Sequence, residues 1–393
     1  MKYPLAYNTW NRKEEEAIQK VIKSKKYTMG NMVKNFEKDF SKKFKSKYAL
    51  MVNSGSSANL LMFSLLRYYN GIFDKKIKKP NIIAPAIGWS TSYFPISQNN
   101  FEINFVDVNL KTLNIDCEKI ENSIDKNTIG ILAINLVGNP CNFKKLKTLC
   151  KKYKLILLED NCESLCAKYE NKFTGTFGEM ASHSLYFAHH LQTMEGGVLL
   201  TNNRDFKDYL RSLRAHGWCR DLPKINKLYK FKNDEFQDFF KFITPGYCVR
   251  PLEIQGAVGS VQLKKLKSFM KIRLKNAKKF KELFSNKNWC QIQIEEKNAV
   301  SSWHGFNIIL QGKLKNKRDR IIRRLISNGV DARPTMTGNF LKNPVIKKLK
   351  YKSIFQLNNT NFIDKNGFFI GNYPKDLSNE IEYAYKIITN EKY

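Results

Sequence analysis

Short, nearly unbroken apolar runs alternate with stretches of helical periodicity along the first two thirds of the chain. The segment YALMVNS (48–54) predicts a strand that leads into a helix over about 56–67. Further strands are predicted at NIIAPA (81–86), INFVDV (103–108), TIGILAINLVG (128–138), LILLED (155–160), SHSLYF (182–187) and GVLLTN (197–202). Apolar runs without alternation are the mark of strands covered on both faces. Helical patterns lie between them, as in NFKKLKTLCKKY (142–153) and NRDFKDYLRSLRAH (203–216). The order predicts an α/β fold with a mostly parallel central sheet covered by helices.

After PGYCVRPLE (245–253) the texture changes. A long, lysine-rich amphipathic helix is predicted over roughly 253–285, then a β-like segment near 303–310 and helices near 316–328 and 377–390. A chain of 393 residues suits two domains. The boundary falls at the long helix: a large domain over 1–253, N-terminal arm included, and a connecting helix with a smaller C-terminal α+β domain over 254–393.

Composition narrows the functional classes. The formal charge of +33 is spread through pieces such as KKIKK and NKRDR, without aromatic-interleaved blocks. A basic surface of this kind predicts no dedicated nucleic-acid site, although it attracts anionic small substrates. No apolar run approaches the length of a membrane span, and the N-terminus lacks the apolar core of a secretory signal. The eight cysteines contain no Cys-x2-Cys pair and no zinc-finger spacing. The expectation is a cytoplasmic protein with reduced thiols, no metal and no membrane partner.

Polar residues of unusual kind gather where the strands end, which is where open α/β sheets bind ligands. Ser54, Gly55, Ser56 and Ser57 follow the first strand at a helix start, the arrangement of a phosphate site, although serine helix caps are common on their own. Trp89 follows the second and offers a flat ring for stacking, unless it is an ordinary core residue. Asp160 ends an apolar strand, where a carboxylate needs a cationic partner. Glu163 lies just beyond it, and His189 and His190 stand after SHSLYF. No lysine occurs between Lys172 and Lys207, although lysine is abundant elsewhere. A phosphate site, a stacking ring and a carboxylate for a pyridinium together suit pyridoxal phosphate (PLP). The lysine that would tether it is missing.

These segments resemble the DegT/DnrJ/EryC1/StrS family of PLP-dependent sugar aminotransferases and dehydratases, over essentially the whole chain. The resemblance is carried by SHSLYFAHHLQTMEGG (182–197), LRAHGWCRDLP (213–223) and PGYCVRPLEIQGAVG (245–259). It implies the aspartate-aminotransferase-like architecture, fold type I. The family's Ser-x-x-x-x-Lys element matches Ser184 through position 189, so His189 stands in the lysine's place. That replacement resembles a subgroup, the nucleotide-sugar 3-dehydratases, and the segments are most similar to its GDP-linked members.

By this resemblance Gly55, Ser56 and Ser57 hold the cofactor phosphate, with Ser184 nearby. Trp89 stacks on the ring, Asp160 pairs with its nitrogen, and Glu163 lies near its hydroxyl. Arg250 reaches into the neighbouring subunit's site, which implies a homodimer with composite sites. His190, His216, Arg220 and Arg333 are placed beside the pocket or against the substrate. Cys248 departs from the family pattern, which has asparagine there. The implied cofactor is pyridoxal 5′-phosphate, cycling with pyridoxamine 5′-phosphate, and the implied amino donor is glutamate. His189, a base that leaves the cofactor untethered, implies loss of the C3 hydroxyl from a nucleotide-linked 4-keto-6-deoxyhexose with release of ammonia. The alternatives are an aminotransferase using another lysine, a CDP-sugar dehydratase with an iron–sulfur cluster, and a nucleotide-sugar binding protein without turnover.

Overall fold

A computed structural model describes residues 3–232 and 234–390. The outermost residues of both expected domains, 1–2 and 391–393, lie outside the described residues. The main sheet is built from β1 (Tyr48–Val52), β2 (Asn81–Pro85), β3 (Glu102–Val106), β4 (Thr128–Ile134), β5 (Ile156–Asp160), β6 (Met180–Ser184) and β7 (Gly197–Thr201). A smaller antiparallel sheet holds β8 (Cys290–Ile292), β9 (Gly305–Leu310), β10 (Ala332–Pro334) and, later in the chain, β12 (Gly367–Gly371). Between them the short β11 (Tyr351–Lys352) returns to the main sheet.

The main sheet runs in the order β1-β7-β6-β5-β4-β2-β3-β11. The pairs β6–β5, β5–β4, β4–β2, β2–β3 and β3–β11 are parallel, whereas β7 runs antiparallel to both β1 and β6. Every residue of β2, β4, β5, β6 and β7 is buried. Alternate side chains feed cores on opposite faces: Ile82, Leu132 and Ile134 join one, and Ile83, Ile131 and Ala133 the other. Burial on both sides is why these strands read as continuous apolar runs rather than alternating ones.

Helices α1 (Arg12–Ser24), α2 (Asn31–Phe44), α3 (Gly55–Tyr68), α4 (Ser90–Gln98), α5 (Phe143–Tyr153) and α6 (Arg204–Arg214) precede the long α7 (Glu253–Phe284). Both α1 and α2 pack on α7. The α2 N-terminus has no side-chain cap of its own; Glu253 serves instead, accepting from Gly30 N and Met32 N at 2.6 Å. A carboxylate there satisfies orphan N–H groups and complements the helix dipole. A second core gathers Phe280 and Phe284 of α7 with Phe306, Ile308 and Phe368. Tyr3 joins that core, while Phe340, Ile346 and Leu357 pack into the core of the main sheet.

Two predicted strands overrun furthest. The strand expected over 182–187 ends at Ser184, because Tyr186 and Phe187 turn outward and are exposed. The strand expected over 128–138 ends at Ile134, and the chain bends through a tight turn with Val137 at φ 52°. Both bends carry site residues.

Candidate active site

The carboxyl ends of β1, β5 and β6 converge with the start of α4. Ser54 caps α3, accepting from Ser57 N at 3.0 Å, and leaves Gly55 and Ser56 in the first turn. A Cβ at Gly55 would lie 2.7 Å from the Ser184 Cβ and 3.1 Å from the Cys162 sulfur, so only glycine lets β6 and the β5 loop close on this turn. The Ser56 hydroxyl is exposed and donates to Thr91 Oγ1 at 3.0 Å. A helix N-terminus lined with hydroxyls is a ready phosphate site.

Trp89 occupies the N-cap position of α4 and is 58% exposed, so it is not a core tryptophan. The same helix start supplies Ser92, whose hydroxyl donates to Asp160 Oδ2 at 2.6 Å. Asn59 of α3 donates to the same oxygen at 2.8 Å, and Cys162 N donates to Oδ1 at 3.1 Å. Asp160 is only 5% exposed. These three donors are neutral, so its negative charge remains for a cation placed in the pocket. The family's protonated pyridine nitrogen fits that requirement, and the hydroxyl-rich α3 turn fits a phosphate.

Glu163 accepts from Val137 N at 2.8 Å. Burial, aided by the nearby Asp160 charge and opposed by the Val137 N–H, pushes its carboxyl up to about 7. It therefore exchanges a proton near neutrality, as a poised acid must.

His189 follows the end of β6 in a turn, with its N–H bonded to Tyr186 O at 2.9 Å. Burial pulls its imidazole down to about 4, against the raising influence of the Cys162 backbone and the Asp160 charge; Arg273 adds to the depression. A neutral ring with a free lone pair is the form that takes protons. His190 is buried, with Nε2 3.1 Å from Ser302 O, which makes that nitrogen the protonated one. His304 packs against His189 with ring centroids 4.9 Å apart and the planes tilted by 30°.

The remaining predicted residues make their contacts elsewhere. His216 is exposed, with φ 65° and its N–H on Tyr247 O. The Arg220 guanidinium lies 3.9 Å over the Trp218 ring. Arg250 donates to the exposed Cys248 sulfur at 3.7 Å, and Arg333 approaches Asp331 at 3.7 Å. Sequence reasoning missed Asn59, Ser92 and His304. The first two are hidden as helix residues, and His304 had one signal: it is among only five histidines and directly precedes an apolar run.

The family model for the DegT/DnrJ/EryC1/StrS aminotransferase family matches residues 8–388. The chain is 45% identical over 391 residues to a GDP-4-keto-6-deoxy-D-mannose 3-dehydratase of Yersinia pseudotuberculosis, covering 98% of each. A solved GDP-4-keto-6-deoxymannose-3-dehydratase, a histidine-to-asparagine variant with bound GDP-perosamine, is 44% identical with a TM-score of 0.93, covering 98% of this chain and all of that one. Another, with a trapped PLP–glutamate geminal diamine, is 44% identical with a TM-score of 0.94 and covers 98% of this chain and 99% of that one. The chain belongs to the DegT/DnrJ/EryC1/StrS aminotransferase family.

Proposed function

We propose that the protein is a PLP- and pyridoxamine-phosphate-dependent 3-dehydratase acting on GDP-4-keto-6-deoxymannose, with glutamate as amino donor. The products are the 4-keto-3,6-dideoxy sugar, ammonia and 2-oxoglutarate. One observation carries the reading: a histidine, not a lysine, stands in the turn after β6, where burial favours its neutral form and the Asp160 charge acts on it. The identity to dehydratases named for this GDP-sugar supports the choice of substrate.

When bound, the cofactor supplies an amine carrier and an electron sink. Asp160, oriented by Asn59, Ser92 and Cys162 N, would hold the ring nitrogen in its protonated form. The Gly55–Ser57 turn and Ser184 would hold the phosphate, and Trp89 would lie against the ring. Glu163, with its proton held near neutrality, donates to the ring hydroxyl. His189 moves protons but forms no stable imine, so the cofactor amine is not recaptured by the chain. The expected consequence is a cofactor without a covalent bond to protein. Borohydride treatment of the loaded enzyme followed by intact mass should return the unmodified polypeptide. A pyridoxyl adduct on any lysine of the pocket would overturn the assignment.

We also place the working site in a homodimer of the cytoplasm. Support comes from an aromatic surface around Phe236, Phe240 and Phe242, which are 95%, 68% and 58% exposed, and from eight free cysteines, suited to a reducing compartment. Among the described residues no helix is long and apolar enough to cross a membrane. If Arg250 completes the neighbour's site, mixing inactive His189→Asn and Arg250→Ala proteins should restore part of the activity. Failure to recover any activity after verified subunit exchange would make each site the product of one chain. In this arrangement residues 1–253 bind the cofactor, and 254–393 supply the surface that closes over His189.

A further inference from the structure

His189, His190 and His304 form one cluster of imidazoles. The His304 ring lies 4.9 Å from His189 at an interplanar angle of 30°, and 5.4 Å from His190 at 43°. His304 arrives from the turn before β9, far from His189 along the chain, and that turn is braced on three sides. Ser302 N donates to Gly138 O at 2.9 Å, and His304 N to Val137 O at 3.1 Å. Gly138 has φ +96°, and a Cβ there would lie 2.6 Å from Trp303 N, so glycine is required for the two segments to meet. From α7 the buried Arg273 donates to the carbonyls of Trp303 at 3.4 Å and His304 at 3.5 Å, and to that of Asn372. Asn372 Nδ2 donates back to Trp303 O at 2.8 Å, and His190 Nε2 holds Ser302 O.

So much bracing of one turn fixes the position of the side chain it presents. The groups facing His189 are the Tyr186 ring edge, His190, His304, the Cys162 backbone, the Arg273 cation and the Asp160 anion. Burial keeps all three imidazoles from protonating, and Arg273 adds to it. The Nδ1 atoms of the three rings are buried without a hydrogen-bond partner among the described residues. His189 is thus oriented by ring contact together with the Cys162 backbone, its Nδ1 having no hydrogen-bond partner among the described residues.

We propose that His304 is the positioning residue for His189: its ring is the plate that holds the base in one orientation and shields it from water. This rests on the reading of His189 as the base. Because His304 enters from the C-terminal side of the chain, the geometry of the base depends on how that region docks on the main sheet.

The test uses holoenzyme variants His304→Ala, His304→Asn and His304→Phe, with the glutamate half-reaction followed by cofactor absorbance at single turnover across pH. A base works in its neutral form, so its rate falls as pH drops through its pKa, and burial should hold that limb in the native enzyme below histidine's ordinary value. Ala and Asn remove the plate. Each should slow the half-reaction by on the order of 10²-fold with KM for glutamate little changed. Each should also move the acid limb up towards histidine's ordinary value of about 6.5 as water reaches the ring. Phe restores the plate and should recover most of the rate with the limb still low. Native rate and limb in folded His304→Ala or His304→Asn overturns the proposal, as does a folded His304→Phe as slow as the other two. A His189→Asn control that keeps its activity would instead sink the reading of His189 as base.

Discussion

A His189→Asn enzyme is expected to bind its cofactor and to process neither glutamate nor the 4-keto sugar at a useful rate. Asparagine preserves size and polarity but has no basic nitrogen. The turn at Gly55–Ser57 proposed to hold the phosphate, Trp89 and Asp160 belong to other strands and helices, so cofactor affinity should stay close to native. Loss of a general base costs about 10²–10⁴-fold. Both half-reactions should fall together, because one group stands at the position the family gives to lysine. The measurement is a pair of single-turnover rates beside a cofactor titration. Near-native dehydration in this variant would move the base elsewhere. His190→Asn is the companion: its ring is committed to Ser302 O, so it should retain far more activity.

Asp160→Asn is expected to be the most damaging change to cofactor binding. The carboxylate receives three neutral donors and keeps a negative charge in a nearly closed site. An amide removes that charge and presents its own N–H₂ group to Asn59 or Ser92. Breaking a buried charge pair by removing one partner costs about 3–5 kcal/mol, which is about 10²-fold or more in affinity. The retained cofactor should also react slowly, because an unprotonated ring nitrogen is a weaker electron sink. Equilibrium dialysis with PLP and a saturating-cofactor rate separate the two effects. Unchanged affinity would show that Asp160 serves the local scaffold and not the ring.

Much of this arrangement was legible from the chain alone, for a physical reason. Parallel strands buried on both faces leave unbroken apolar runs, and the polar residues that end them stand out, as Asp160 and His189 do. The absence of lysine from 173–206 is visible without any fold. What stayed hidden depends on long-range closure. Val137 and Leu136 read as more strand because a bend at positive φ leaves no mark in hydrophobicity when the bending residue is valine. Tyr186 and Phe187 look like strand residues, yet they lie in a turn with their rings outward. Ser92 and Asn59 read as helix positions, and only the meeting of α3, α4 and β5 directs both at Asp160. His304 gains its meaning from Arg273, Gly138 and Asn372, three residues that no local window contains together. Glu253 capping α2 is the same kind of fact, since helix propensity knows nothing of a carboxylate supplied from the far side of the fold.

The single reversed strand has an evolutionary consequence. Crossovers between parallel strands must travel the length of the sheet, and so tolerate additions along the way. The β6-to-β7 connection leaves and re-enters at one edge, with Ser184 opposite Gly197 and Leu185 N bonded to Gly196 O. His189 therefore sits on a closed ring of backbone whose circumference is set by a central ladder. One inserted or deleted residue between Leu185 and Gly196 would swing the base away from Asp160 with no slack to absorb it. Drift in length should accumulate in the surface connections around it, while this ring evolves by exchange of side chains alone.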